Sequence, residues 1–177
     1  MDALPARHDR ASVALHWAIA LLVLGLMGIG WYMTGLPRNT PERAFFFNLH
    51  KSLGMLTAAL VLVRIGWRAR HASPPLAAGM AAWQVRATRA SHALLYALMV
   101  LQPLSGYLAS SFSKFGVKFF GLALPHWGWE DKFWNGVFAA THSALAIAFA
   151  ILVAVHAAAA FKHLLFDRDG VFQRMMP

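Results

Sequence analysis

Two histidines interrupt the most apolar part of the chain. His142 and His156 lie in a stretch from 133 to 161 in which 29 consecutive residues include no Asp, Glu, Lys or Arg. An ionisable side chain in such a segment is costly to leave unpaired in hydrocarbon, and it marks a functional site by default. Because neutral imidazole is a common ligand of transition metals, metal binding is the chemistry that these residues suggest.

The spacing of the two histidines places them on nearly the same face of one helix. They are 14 residues apart, which at about 1.5 Å per residue gives a separation of about 21 Å along the axis. A helix needs roughly 20 apolar residues to cross a bilayer. One membrane helix would therefore carry an imidazole near each surface, and each imidazole needs a partner from another helix.

The composition indicates an integral membrane protein. Of 177 residues, 59% are hydrophobic and only 13% are charged. The formal charge of +9 comes from basic residues in short loops, which fit a membrane surface, and no nucleic acid partner is expected. The chain has no cysteine, which excludes disulfides, thiolate-held clusters and covalent haem attachment.

Four apolar segments predict an all-α fold, an integral membrane four-helix bundle in which the whole chain, 1–177, is one domain. The first apolar run is too long for a cleaved signal and is expected to remain, with Ser12 as its cap. Pro103 predicts a kink in the third span. The predicted spans cover about residues 12–35, 43–67, 88–111 and 135–163.

The basic residues favour an orientation with both termini in the cytoplasm. Ten of them lie in the terminal segments and in the connection 64–89, and six lie on the other side. Positive residues are retained on the cytoplasmic side of membrane proteins. The outer loop 111–132 is rich in aromatic residues and is expected to lie along the membrane surface, while Lys51 is expected to extend its ammonium to the interface.

This topology pairs the membrane histidines by depth. His50 and His142 lie near the outer face, whereas His16 and His156 lie near the inner face. A single histidine in a membrane helix more often hydrogen-bonds to another helix, but four at matched depths suit two haems, each with its iron held by two neutral imidazoles. His92 also lies at the inner depth and is an alternative ligand to His16, although a place beside a haem propionate or a quinone is favoured.

The remaining residues limit the alternatives. The predicted spans contain no carboxylate, which argues against a carboxylate-bridged metal pair or a proton relay. A haem-free transporter, with histidines as hydrogen-bonding groups, is the remaining rival. Small side chains that would leave room for flat macrocycles include five glycines: Gly25, Gly28, Gly30, Gly54 and Gly106. Four histidines in polar, loop or interfacial segments are not expected to be ligands: His8, His71, His126 and His163.

Several short motifs, in order along almost the whole chain, resemble the small bacterial cytochrome b561 family. They are Leu15-His16-Trp17, His50, Val63-Arg64 with the Ser73-Pro74-Pro75 turn, Gln102-Pro103-Leu104-Ser105-Gly106, His142, Val155-His156-Ala157-Ala158-Ala159 and Arg174-Met175-Met176-Pro177. The resemblance implies a bacterial inner-membrane protein surrounded by lipid, with two haem b groups.

The same resemblance implies specific ligands and a reaction. His16 with His156 would hold the inner haem, and His50 with His142 the outer haem. The family also implies electron transfer linked to quinone, and one type of member oxidises superoxide at the periplasmic face and reduces ubiquinone. No catalytic residue beyond the haem ligands is implied. The alternative is a haem-bearing membrane anchor that exchanges electrons with a partner oxidoreductase.

Overall fold

Four long helices form almost the entire molecule. The computed structural model describes residues 7–71, 74–75 and 80–176. Each of the four helices is long and apolar enough to cross a membrane, which confirms the predicted four-helix membrane fold. The helices are α1 (Arg10–Gly35), α2 (Pro41–Arg70), α3 (Ala82–Ser111) and α4 (Lys132–Lys162). A π-helical turn, His163–Asp167, and a short 3-10 helix, Phe172–Met175, follow α4.

The helices extend beyond the apolar segments that predicted them. α2 runs to Arg70 and α3 begins at Ala82, whereas the sequence predicted ends near residues 67 and 88. The prediction followed apolar side chains, but the helical backbone hydrogen bonds continue through charged residues such as Arg86. Pro103 lies within α3, which is one uninterrupted helix. Ser73 and Pro177 of the sequence motifs lie outside the described residues.

Asp9, rather than Ser12, caps the first helix. Its carboxylate accepts hydrogen bonds from the backbone N–H of Ser12 at 2.9 Å and from the Ser12 hydroxyl at 2.6 Å. Those hydrogen bonds from Ser12 lower the pKa of Asp9 to about 2. The indole of Trp67 donates to the same carboxylate at 3.0 Å. The start of α1 is therefore tied to the end of α2.

A small hairpin in the connection between α3 and α4 covers part of α2. Strands β1 (Lys118–Phe119) and β2 (Leu122–Ala123) pair antiparallel. Phe120 and Gly121 between them both have positive φ, as a two-residue hairpin turn requires. The backbone N–H of Phe120 donates to the Ser52 hydroxyl at 2.9 Å, which fixes the hairpin on the helix.

Lys51 contacts this same connection through its ammonium group. Its ammonium donates to the carbonyl oxygen of Gly116 at 3.0 Å, and the residue is half-buried. The sequence did not indicate this contact because the two residues are 65 positions apart. Lys51 therefore helps to hold the outer connection against α2.

A cluster of buried apolar side chains lies between the two histidine levels. It consists of Ile19 and Val23 from α1, Val61 from α2 and Phe149 from α4. Phe149 is seven residues from His142 and seven from His156, so this apolar layer separates the two histidine levels. Close backbone contacts are dense between α1 and α2 and between α3 and α4, but sparse between these two halves.

Candidate functional site

The first candidate site joins α2 to α4. The rings of His50 and His142 have their centroids 6.2 Å apart, with an angle of 84° between their planes. These are the two residues that depth matching had placed together near the outer face. Each half of the bundle contributes one imidazole, so the pair bridges the two halves.

The second candidate site joins α1 to α4 at the other level. The centroids of His16 and His156 are 6.3 Å apart, with an angle of 68° between the rings. The nearly equal separations in the two pairs indicate the same kind of site at both levels. Because α4 supplies one histidine to each site, the sites lie about 21 Å apart along its axis.

These separations suit two imidazoles on opposite sides of one metal ion. A metal–imidazole bond is about 2 Å long and a ring nitrogen lies about 1 Å from its centroid, so two such rings have centroids about 6 Å apart. All four donors are aromatic nitrogens, and the spans contribute no carboxylate to either pair. This donor set is that of a b-type haem with two histidine ligands.

The hydrogen bonds of His142 fix which of its ring nitrogens carries the hydrogen. Nδ1 donates to the backbone carbonyl of Gln102 at 2.9 Å, so Nε2 is the nitrogen with the lone pair, as a metal ligand requires. In this structure the side-chain amide nitrogen of Gln102 lies 3.3 Å from Nε2, and a metal bound there would replace that contact. The side-chain amide of Gln102 donates to the carbonyl oxygen of His142 at 3.2 Å. The role of Gln102 was missed in the sequence, because it depends on the rotation of α3 against α4.

His50 lacks a comparable partner. Its Nδ1 is buried and has no hydrogen-bond partner among the described residues, although the Leu26 carbonyl faces the ring. A buried polar atom without a partner is unusual in a native protein. The imidazole of His50 is therefore held less firmly by protein groups than that of His142.

Two glycines allow helices to approach these imidazoles closely. A Cβ at Gly106 would lie 2.9 Å from Cε1 of His142, and a Cβ at Gly30 would lie 3.3 Å from Cε1 of His50. The other three glycines that the sequence singled out, Gly25, Gly28 and Gly54, have no atom within 4 Å of that position. Of these five glycines, Gly30 and Gly106 are therefore the two that lie against an imidazole of the outer site.

A third imidazole lies at the inner level. The centroid of the His92 ring is 5.7 Å from that of His156, and the centroid of the His16 ring is 6.3 Å from it. Proximity alone thus leaves two partners for His156. The separation of His16 from His156 matches that of the outer pair, whereas His92 is nearer to His156.

The four remaining histidines are engaged elsewhere. His71 stacks on Trp67 with centroids 4.0 Å apart. Nδ1 of His163 lies 2.7 Å from a carboxylate oxygen of Asp169 and 3.3 Å from one of Asp167. His126 packs against Gly116 in the outer connection, and burial, followed by the charges of Arg68 and Arg64, lowers the pKa of His8.

The chain is similar to known proteins over nearly its full length. The family model described as prokaryotic cytochrome b561 matches residues 7–177. Cytochrome b561 homolog 2 of Escherichia coli K12 is 30% identical over 97% of this chain and 92% of that protein. Cytochrome b561 homolog 1 of the same organism is 24% identical, covering 97% of each protein. A probable superoxide oxidase, CybB, of Yersinia pestis is 26% identical over 97% of this chain and 96% of that protein.

Proposed function

The chain belongs to the prokaryotic cytochrome b561 family, and from this premise we propose that it is a di-haem carrier that oxidises superoxide and reduces ubiquinone. Membership of this family, together with four helices able to span a membrane, makes the chain a multi-pass protein of the bacterial inner membrane. It transfers electrons across that membrane and binds b-type haem.

The two histidine pairs would hold the haems. His16 with His156 would hold the inner haem, and His50 with His142 would hold the outer haem. The donor set, the two matched separations and the glycines against the outer imidazoles support this assignment. A haem bound at each pair would supply one-electron chemistry, while the protein fixes the orientation of the imidazoles.

The apolar layer between the pairs favours electron transfer over proton transfer. Ile19, Val23, Val61 and Phe149 are buried between the two levels. Within α1 to α4 the only carboxylate is Glu42, in the first turn of α2, so no acidic side chain continues a proton path through the bundle. Protons for a reduced acceptor would therefore come from the side where that acceptor binds.

In the proposed reaction, the electrons balance when the protein transfers two of them, one at a time. Two superoxide ions each give one electron and become oxygen, and one ubiquinone takes both electrons and two protons to become ubiquinol. The distribution of basic residues supports cytoplasmic termini, which places the His50 and His142 pair near the periplasm. The resemblance to a probable superoxide oxidase supports superoxide as the donor.

The direct test of this function uses the purified chain alone in liposomes that contain ubiquinone. Superoxide should be consumed and ubiquinol should form, with two superoxide ions used for each ubiquinol. A requirement for an added partner protein would instead identify the chain as a membrane anchor subunit of a larger oxidoreductase.

Basic residues of the outer connection are expected to accelerate an anionic donor. Six basic and three acidic residues lie on this side in the proposed orientation, and a positive surface raises the encounter rate with an anion. Replacing Lys114 and Lys118 with glutamine should slow oxidation of superoxide severalfold at low ionic strength and much less near 1 M salt. Stopped-flow rates measure this effect. The same slowing at both ionic strengths would contradict electrostatic attraction.

A methyl group at Gly106 is expected to weaken binding of the outer haem. The Cβ of Gly106→Ala would lie 2.9 Å from His142, so the imidazole must shift from the position that its bond to Gln102 sets. Displacing a ligand in this way costs roughly tenfold in affinity. Haem titration of the variant measures the loss, and Gly25→Ala, with no atom within 4 Å of the new methyl group, is the matched control. Equal affinities in the two variants would show that the close approach has no effect.

A further inference from the structure

A cleft of about 470 Å³ lies between the end of α2 and the first turns of α3. Arg68 of α2 forms one wall, and Pro74 and Pro75 of the following connection form another. The third wall is one face of α3, because its residues recur at helical spacing. This face consists of Thr88, Arg89, His92, Ala93 and Tyr96. We refer to this site as the arginine cleft.

The two guanidinium groups of the cleft have no acidic partner within the described part of the chain. In the described residues, the close contacts between basic and acidic side chains are those of Lys162 and His163 with Asp167 and Asp169. Arg68 lies over the ring of Tyr96, with its Cζ 5.7 Å from the centroid. The Tyr96 hydroxyl in turn accepts a hydrogen bond from Nε of Arg64 at 3.2 Å. The aromatic ring is thus held in place, while the positive charges of Arg68 and Arg89 are not neutralised.

His8 of the N-terminal segment lies near this end of the bundle. Burial is the first cause that lowers its pKa, and the charges of Arg68 and Arg64 are the next causes.

The polar groups of the cleft lie at different depths along the helices. Arg68 lies two residues before the end of α2, and Thr88 and Arg89 lie in the second turn of α3. His92 and Tyr96 lie about 5 to 12 Å further along α3, at 1.5 Å per residue. In a membrane-spanning α3, Arg89 is therefore nearer the lipid headgroups, and Tyr96 is the deepest of these lining residues. His92 lies between them, with its ring 5.7 Å from that of His156.

We propose that the arginine cleft binds the phosphate of an anionic membrane lipid. Arg68 and Arg89 pair with the phosphate oxygens, and the Thr88 hydroxyl donates a further hydrogen bond. Guanidinium groups suit phosphate because two N–H groups bind two oxygens in parallel. Basic pockets between membrane helices bind such headgroups. The volume of the cleft is within the range that small-molecule sites occupy.

Two double variants, which lose the same number of positive charges, test this proposal. Arg68→Gln with Arg89→Gln removes both guanidinium groups of the cleft. Arg70→Gln with Arg86→Gln removes two arginines from the same helices and the same membrane side, outside the lining of the cleft. Native mass spectrometry of the haem-loaded protein in detergent measures binding of phosphatidylglycerol, phosphatidylcholine and inorganic phosphate to each form.

The wild-type protein and the control pair should bind phosphatidylglycerol in preference to phosphatidylcholine. The cleft pair should bind phosphatidylglycerol about tenfold more weakly than the control pair, because charge-assisted hydrogen bonds are lost in addition to surface charge. Equal losses in both pairs, or equal binding of the two lipids, would overturn the proposal. Inorganic phosphate that binds as tightly as the lipid would also overturn it.

Two further readouts separate the lipid from other occupants. Loss of the inner haem spectrum in the cleft pair, without loss of lipid, would assign the arginines to a haem propionate instead. Displacement of bound phosphatidylglycerol by a short-chain ubiquinone would assign the cleft to the quinone. The proposal expects an unchanged haem content and no displacement.

Discussion

Replacing His142 with alanine is expected to remove one of two haems and to leave the other in place. The purified variant should contain one haem per chain, and its spectrum should lack the outer component. His142 is the only described residue that brings an imidazole of α4 to the level of His50. Alanine supplies no ligand, and the remaining imidazole would hold iron on one side only.

His126→Ala is the matched control for this prediction. It also removes an imidazole from the outer end of the molecule, but His126 packs on Gly116 in the connection rather than on His50. The control should retain two haems per chain. A variant of His142 that also retains two haems would rule out His142 as a ligand.

Replacing His156 with alanine is expected to stop electron transfer across the membrane. The inner haem would be lost. Electrons on the outer haem would then have no carrier at the inner level, which lies about 21 Å away along α4. In proteoliposomes with an external reductant and an enclosed acceptor, the rate should fall to that of liposomes without protein. The outer haem should still be reduced from outside, which distinguishes loss of the inner site from loss of the fold.

Two histidine variants serve as controls for the inner site. His163→Ala changes the same face of the same helical stretch seven residues later, where His163 pairs with Asp169, and it should retain full transfer. His92→Ala should retain the inner haem if His16 is the second ligand, as the matched separations favour. Loss of the inner haem in His92→Ala with retention in His16→Ala would exchange the two assignments.

The histidine pairs were predictable from the sequence because a few quantities determine depth in a membrane. Charge-free stretches give the spans, short loops make successive spans antiparallel, and the rise per residue then gives the height of each histidine. Those steps placed His50 beside His142 and His16 beside His156, as the structure has them. They left His92 as an alternative at the inner level, and the structure brings it to His156 as well.

Features that depend on helix rotation or on distant contacts were not predictable. The bond between Gln102 and His142 requires one particular face of α3 to meet α4. The contact of Lys51 with Gly116 requires the outer connection to fold back on α2. Among five glycines of the same type, only Gly30 and Gly106 meet an imidazole.

The sequence contained the correct cap of α1, Asp9, but we predicted Ser12 instead. Asp9 and Ser12 are three residues apart, and either side chain is suited to a cap. The apolar run suggested a start at Ser12, but the helix begins at Arg10 and Asp9 accepts from Ser12. An acceptor immediately before the first helical residue satisfies the free N–H groups better than one inside the first turn.

The assignment of two haems to two histidine pairs is tested most directly by haem content. A dithionite-reduced minus oxidised spectrum, with haem and chain quantified on the same purified sample, gives the ratio. We expect two b-type haems per chain, one lost with His142 and the other with His156. A colourless protein, a single haem per chain, or haem that remains after both substitutions would contradict the assignment of two haems to two histidine pairs.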